Sequence, residues 1–157
     1  MDEVALHIDA PAEQLYDMVT DIGRMGDWSP ENTGGRWLGD ATGPALGAKF
    51  LGWNKHGPIS WFTRCTVTRA DRPDGFEFQV NESKMIWGYR FEPGPDGSGT
   101  LVTEYRRHTK PVNALIGFVQ RSGMIGKDRE QLMVDGMRAT LERLKAAAEA
   151  TGAAAGG

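Results

Sequence analysis

Cysteine is nearly missing from this 157-residue sequence: Cys65 stands alone, so no internal disulfide staples the fold. No apolar run approaches the roughly 20 residues that a bilayer-spanning helix needs, and no signal-peptide pattern precedes the first strand-like stretch. Together these absences lead us to expect a reducing, cytoplasmic setting and no stable membrane anchor. Basic excess is lacking too. The 18 Lys and Arg face 21 Asp and Glu, for a net charge of -3, which argues against a nucleic-acid partner. The arginines that do cluster, Arg106 with Arg107 and Arg64 with Arg69 and Arg72, are interleaved with acidic residues and read as solvated sheet edges rather than a phosphate site. Histidine is scarce: His7, His56 and His108 share no paired spacing, so the three or four convergent ligands of a zinc site are not expected. The stretch Gly43-Pro44-Ala45-Leu46-Gly47 matches neither a P-loop nor a dinucleotide fingerprint, and no cofactor is expected.

What is present is periodicity, and it changes twice along the chain. Val4 to Ile8 alternates as a short strand. Pro11 is a favoured first helical residue, and Leu15, Met18, Val19 and Ile22 follow at helical spacing, so a helix is expected from about Pro11 to Asp21. Gly23 and Gly26 break it, and Trp28-Ser29-Pro30 reads as a turn. From Gly35 to Arg107 the pattern is that of strands punctuated by turn residues, Arg72-Pro73-Asp74-Gly75 being the strongest such signal. Leu46, Ala48, Phe50, Gly52 and Asn54 share one face of one strand, and Trp61, Thr63, Cys65 and Val67 one face of the next. Beyond Pro111 the period returns to 3.6. One stripe runs through Val112, Leu115, Ile116 and Val119, another through Leu132, Met133, Met137, Leu141 and Leu144, with Gly123 and Gly126 between them. The Ala/Gly-rich segment from Ala146 is expected to fray. This organisation predicts one domain over residues 1–149 and a tail over 150–157.

Strands joined by short turns pair antiparallel, and such a sheet has one face to bury. Only the C-terminal helix is long enough to cover it, so a twisted sheet must curl around that helix. The expected fold is α+β: a curved antiparallel sheet gripping a long C-terminal helix, with a short helix pair after the first strand. Here the residues carry a resemblance. Asp9-Ala10-Pro11-Ala12-Glu13, Thr20-Asp21-Ile22, Trp28-Ser29-Pro30 and Gly47-Ala48-Lys49-Phe50-Leu51-Gly52 are similar to the opening half of the START-related helix-grip superfamily. Trp61 through Val67, Pro73 through Phe78 and Gly99 through Glu104 extend the likeness, which spans about Val4 to Lys145. Within that superfamily the chain most resembles the bacterial polyketide cyclase/dehydratase and lipid-transport group. The resemblance implies a cavity between sheet and helix.

Alternation places Phe50, Asn54, Trp61, Thr63, Cys65, Phe76, Phe78, Trp87, Tyr89, Val102, Glu104 and Arg106 on the inward face. An aromatic wall with a few polar groups is the usual make-up of a small-molecule pocket, although the same rings can fill a core completely. Phe50, Asn54, Trp61, Thr63, Phe78, Trp87, Tyr89 and Glu104 are therefore the candidate ligand contacts, with Trp28 closing one end. Glu104 is the most informative of them. A carboxylate among Trp87, Tyr89 and Val102 has a raised pKa unless paired, which suits a general acid or base. Against this stands an ion pair with Arg106, two residues along on the same face, or with an arginine on a neighbouring strand, or exposure at the sheet end. Asn54 either binds a ligand carbonyl or caps the neighbouring turn.

Cys65, facing inward, is expected to behave as a small hydrophobe. The leading expectation is a module that binds a small hydrophobic molecule, lipid or polyketide-like. The alternatives are a cyclase or dehydratase in the same cavity, with Glu104 or Tyr89 moving the proton, or a protein-interaction domain. Ligand identity and oligomeric state stay open.

Overall fold

The computed structural model describes residues 2–109 and 125–156, with side chains for all of these but 125–130 and 152–156. The expected stripe at Val112, Leu115, Ile116 and Val119 lies outside the described residues. Seven strands, β1 (Asp2–Ile8), β2 (Asn32–Trp37), β3 (Lys49–His56), β4 (Ile59–Asp71), β5 (Gly75–Val80), β6 (Met85–Pro93) and β7 (Thr100–His108), form a single sheet. Its order is β1-β7-β6-β5-β4-β3-β2 and every pairing is antiparallel. Strands β2 to β7 are a meander, as short turns dictate. The first strand instead crosses to pair with the last, and the crossover carries α1 (Ala12–Thr20), a 3₁₀ turn (Ile22–Arg24) and α2 (Met25–Trp28). Whereas α1 packs on β5 and β6, the 3₁₀ turn and α2 lie against β2. Gly35 permits the approach, since a Cβ there would sit 2.6 Å from the Leu51 carbonyl oxygen and 3.3 Å from that of Ile22.

Helix α3 (Ile125–Gly156) lies in the grip of the sheet. Met137, Leu141, Leu144 and Ala148 follow one another at steps of three and four, which keeps them on one stripe, and all four are buried in the common core. Leu132, expected on that stripe, is instead 55% exposed. It sits one residue, about 100° of helical rotation, away from Met133, which does face inward. The helix also runs past Ala146, where fraying was expected. Ala148 is fully buried, and Glu149 accepts the Asp9 backbone N–H at 3.0 Å and pairs with Lys145. Small residues here serve close packing against β1 and α1 rather than disorder.

Leu46 is likewise exposed, because the turn with Gly47 at φ 84° delays β3 until Lys49. Trp28, expected in a turn, is the last residue of α2. Among the described residues no helix is long and apolar enough to cross a membrane.

The space between sheet and helix is unevenly filled. At one end, Tyr16 from α1 meets Phe76 and Phe91 edge to face, with ring centroids 6.4 Å and 6.2 Å apart, and Phe76 is fully buried. Such contacts add to the area term for packed aromatics. The other end, beyond Phe50 and Phe78, stays hollow.

Candidate functional site

The hollow end is a cavity of about 540 Å³, within the range of small-molecule pockets. Each strand from β3 to β7 contributes wall residues on alternate positions, as the period of two requires. β3 supplies Phe50 and Asn54, β4 supplies Trp61, Thr63 and Cys65, and β5 supplies Phe78. β6 adds Trp87 and Tyr89, β7 adds Glu104 and Arg106, and Trp28 reaches in from α2. All nine candidate contacts thus converge on one space. Phe76 and Val102, also assigned inward, belong to the solid end. Met133 and Thr140 of α3 and Asn32 of β2 also line the cavity. The helical stripe already contained Met133, but which part of that stripe meets a void depends on how far the helix reaches along the sheet.

Glu104 is 5% exposed, and its Oε2 has no hydrogen-bond partner among the described residues. The expected neutralisation by Arg106 does not occur. Arg106 donates from Nε to Asp2 Oδ2 at 2.8 Å and lies over the Trp87 ring, 5.9 Å from its centroid. The reason is geometric. Residues two apart on a strand are separated by about 6.6 Å, whereas directly opposed residues on neighbouring strands have Cβ atoms about 5 Å apart. Asp2 is the register partner of Arg106, while Glu104 faces Val4 on one side and Tyr89 on the other. Arg106 is therefore mostly buried and paired, not a solvated sheet edge as expected.

Burial disfavours the charged carboxylate and pushes the Glu104 pKa up to about 8, while the Tyr89 hydroxyl beside it pulls weakly the other way. Burial, reinforced by Glu104, raises the Tyr89 phenol well above its ordinary value. The pair is thus a mostly neutral carboxyl beside a phenol that keeps its proton.

A second buried polar atom lacks a partner among the described residues: the Trp28 indole Nε1–H. Its ring is held from behind by the Arg24 guanidinium, 4.9 Å from the centroid. On the far wall, Asn54 Nδ2 donates to Thr63 Oγ1 at 3.5 Å, and that hydroxyl lies 3.8 Å from Cys65 Sγ. Asn54 therefore bonds across the strand pair rather than to the turn. Cys65 is 3% exposed and its thiol is pushed up to about 12 by burial. At pH 8 its alkylation by iodoacetamide is expected to be roughly a thousandfold slower than that of a free thiol, because only thiolate reacts. Rapid labelling of the native protein would show that Cys65 is not buried.

None of the histidines lines the cavity; His7, on β1, has its Nε2 2.8 Å from the Ser98 carbonyl oxygen. Among the described residues no three His, Cys, Asp or Glu side chains converge as metal ligands would.

The profile of the family described as polyketide cyclase / dehydrase and lipid transport matches residues 3–149, and the chain belongs to that family. This agrees with the START-related, helix-grip resemblance seen in the sequence. The Polyketide_cyc-like protein Cgl2372 from Corynebacterium glutamicum is 30% identical, with 92% of this chain and 88% of that one covered and a TM-score of 0.63. Protein NE0264 from Nitrosomonas europaea shares 13% identity over 97% of this chain and 96% of its own, with a TM-score of 0.70. The di-domain ARO/CYC StfQ from the steffimycin biosynthetic pathway shares 15% identity, covering 95% of this chain and 44% of its own, with a TM-score of 0.64. The last two show the fold alone. No protein of curated function matches the sequence significantly.

Proposed function

We propose that the cavity holds a small, largely apolar molecule carrying ketone and hydroxyl oxygens, and that Glu104 moves a proton on it in a cyclase- or dehydratase-type reaction. The observation that carries this reading is the buried carboxyl of Glu104, which lines the cavity and whose Oε2 has no partner among the described residues, Arg106 being engaged by Asp2. A group that titrates near 8 is close to the operating pH, where proton transfer is most effective.

The chemistry is a dehydration of a β-hydroxyketone. Glu104 carboxylate takes the proton from the carbon beside the ketone, and the C–H electrons form the new C=C bond as the enolate collapses. The same carboxyl then gives its proton to the departing hydroxyl. The C–O bond breaks, water leaves, and no redox change occurs. Tyr89, still protonated, donates to the enolate oxygen. Asn54 lies four strand spacings from Glu104, roughly 19 Å along the curved sheet at about 4.8 Å each, so it serves the far end of the ligand. The Trp28 N–H anchors another oxygen. Holding a flexible chain folded between aromatic walls supplies the orientation that such reactions need.

Two measurements test this. Nile red is expected to bind in the cavity, and Trp61→Ala, which removes a half-exposed wall residue, is expected to weaken it about tenfold, or about 1.4 kcal/mol. An aryl β-hydroxyketone is expected to yield the conjugated enone, followed by its ultraviolet absorbance. Binding without any enone formation makes the protein a carrier of the same class of ligand. No binding of either compound removes the cavity reading altogether.

A further inference from the structure

The tip of the β3–β4 hairpin exposes an unusual group of large apolar side chains. Ile59 is 63% exposed, Phe62 54%, Trp53 41% and Trp61 37%. Trp53 and Phe62 are register partners whose alternation puts them outward of the inward pair Asn54 and Trp61, and Phe62 also reaches the rim of the cavity. Large apolar patches are rare on a solvated surface and mark contact sites.

The charges around the patch say what the contact is. From Ala41 to Ala70 the sequence holds no Asp or Glu, although the whole chain is net acidic. On the outer face beside Trp53 and Phe62, register places Arg36, Lys49, Lys55 and Arg64, all exposed. None of these four makes an ion pair among the described residues, in contrast to Arg24, Arg69, Arg72, Arg90, Arg106 and Arg107. Two acids flank the group. Glu82 accepts the Arg64 backbone N–H at 3.0 Å, and Glu31 meets Lys55 through its main chain.

Exposed tryptophan and phenylalanine ringed by unpaired cations match the headgroup layer of an anionic bilayer, where aromatic rings sit at the polar boundary and Lys and Arg meet lipid phosphates. We propose that the β3–β4 hairpin docks the protein reversibly on an anionic lipid surface. Trp53, Ile59 and Phe62 enter the interface, and Arg36, Lys49, Lys55 and Arg64 contact the phosphates. Trp61 and Phe62 also line the cavity, so docking sets the cavity's aromatic rim against the lipid, the source of an apolar ligand. The docking surface does not depend on any chemistry at Glu104.

Co-sedimentation of the full chain with vesicles tests it. Binding is expected to an equal mixture of phosphatidylcholine and phosphatidylglycerol, and at least about tenfold weaker binding to phosphatidylcholine alone. Raising salt from about 0.1 M to about 1 M shortens the Debye length from about 10 Å to about 3 Å, and is expected to release the protein. The double variants Lys55→Glu/Arg64→Glu and Trp53→Ser/Phe62→Ser alter exposed side chains. Each is expected to lower vesicle binding at least about tenfold with an unchanged circular dichroism spectrum. Failure to bind the anionic vesicles, or variants that bind like wild type, overturns the proposal. So does a dimer that Trp53→Ser/Phe62→Ser dissociates, because the patch then belongs to a second copy.

Discussion

Glu104→Gln is expected to lower enone formation by about 10²- to 10⁴-fold, the usual contribution of a positioned acid–base group, while Nile red affinity changes less than threefold. The substitution keeps the shape and one hydrogen-bonding oxygen but cannot accept or return the substrate proton. In the wild type the reactive form is the carboxylate. With the folded pKa near 8, kcat/KM is expected to rise with pH and level off above about pH 8. A flat profile, or a variant as active as wild type, rules out Glu104 as the proton carrier.

Stability gives an independent reading of the same group. Its folded pKa of about 8 exceeds the ordinary value of 4.5, so between these the folded state holds more proton than the unfolded one. Wild-type stability therefore falls as pH rises from about 4.5 to 8, by a few kcal/mol at about 1.4 kcal/mol per pK unit. Glu104→Gln is expected to abolish that slope and to be the more stable protein at pH 8. Urea unfolding at several pH values measures the difference.

Met137→Ala is expected to cost about 2–5 kcal/mol, as deletion of a fully buried side chain does when its surroundings cannot collapse. Met137 is 1% exposed on the stripe that the sheet grips, between Met133 at the cavity and Leu141 in the solid core. For a domain of this size the change corresponds to a melting temperature lower by roughly 5–15 °C. A matched Leu132→Ala control, on the exposed side of the same helix, is expected to stay within about 0.5 kcal/mol of wild type. Equal effects from the two substitutions would mean that the helix is rotated from the orientation described.

The sequence-based preference for a carrier over a catalyst rested on the absence of a clustered acid, base and nucleophile and on Arg106 neutralising Glu104. Strand parity was right for both side chains, yet the pairing was wrong. Parity says which face a residue takes, and it is silent about which neighbour lies closest on that face. Asp2, more than a hundred residues away in sequence, won because β1 returns to pair with β7. The same limit explains the Leu132 miss. An apolar residue adjoining a stripe looks like part of it until the rotation of the helix against the sheet is known.

Alternation in β3 to β7 was enough to name eight of the nine candidate contacts that meet in one cavity, because a period of two is a local property of an extended chain. Turn residues gave the meander, and the apolar stripe of the last helix gave the grip, for equally local reasons. Three features depended on long-range contacts instead. The hollow and solid ends of the interior separate because Tyr16, from a helix far away in sequence, fills one end only. The Trp28 indole N–H and Glu104 Oε2 are left without partners among the described residues through packing that no sequence pattern records. The aromatic and cationic face of the β3–β4 hairpin emerged only when register set Trp53 beside Phe62 and left both outside the core. Periodicity is written residue by residue, whereas a cavity and a surface are made by elements brought together from distant parts of the chain.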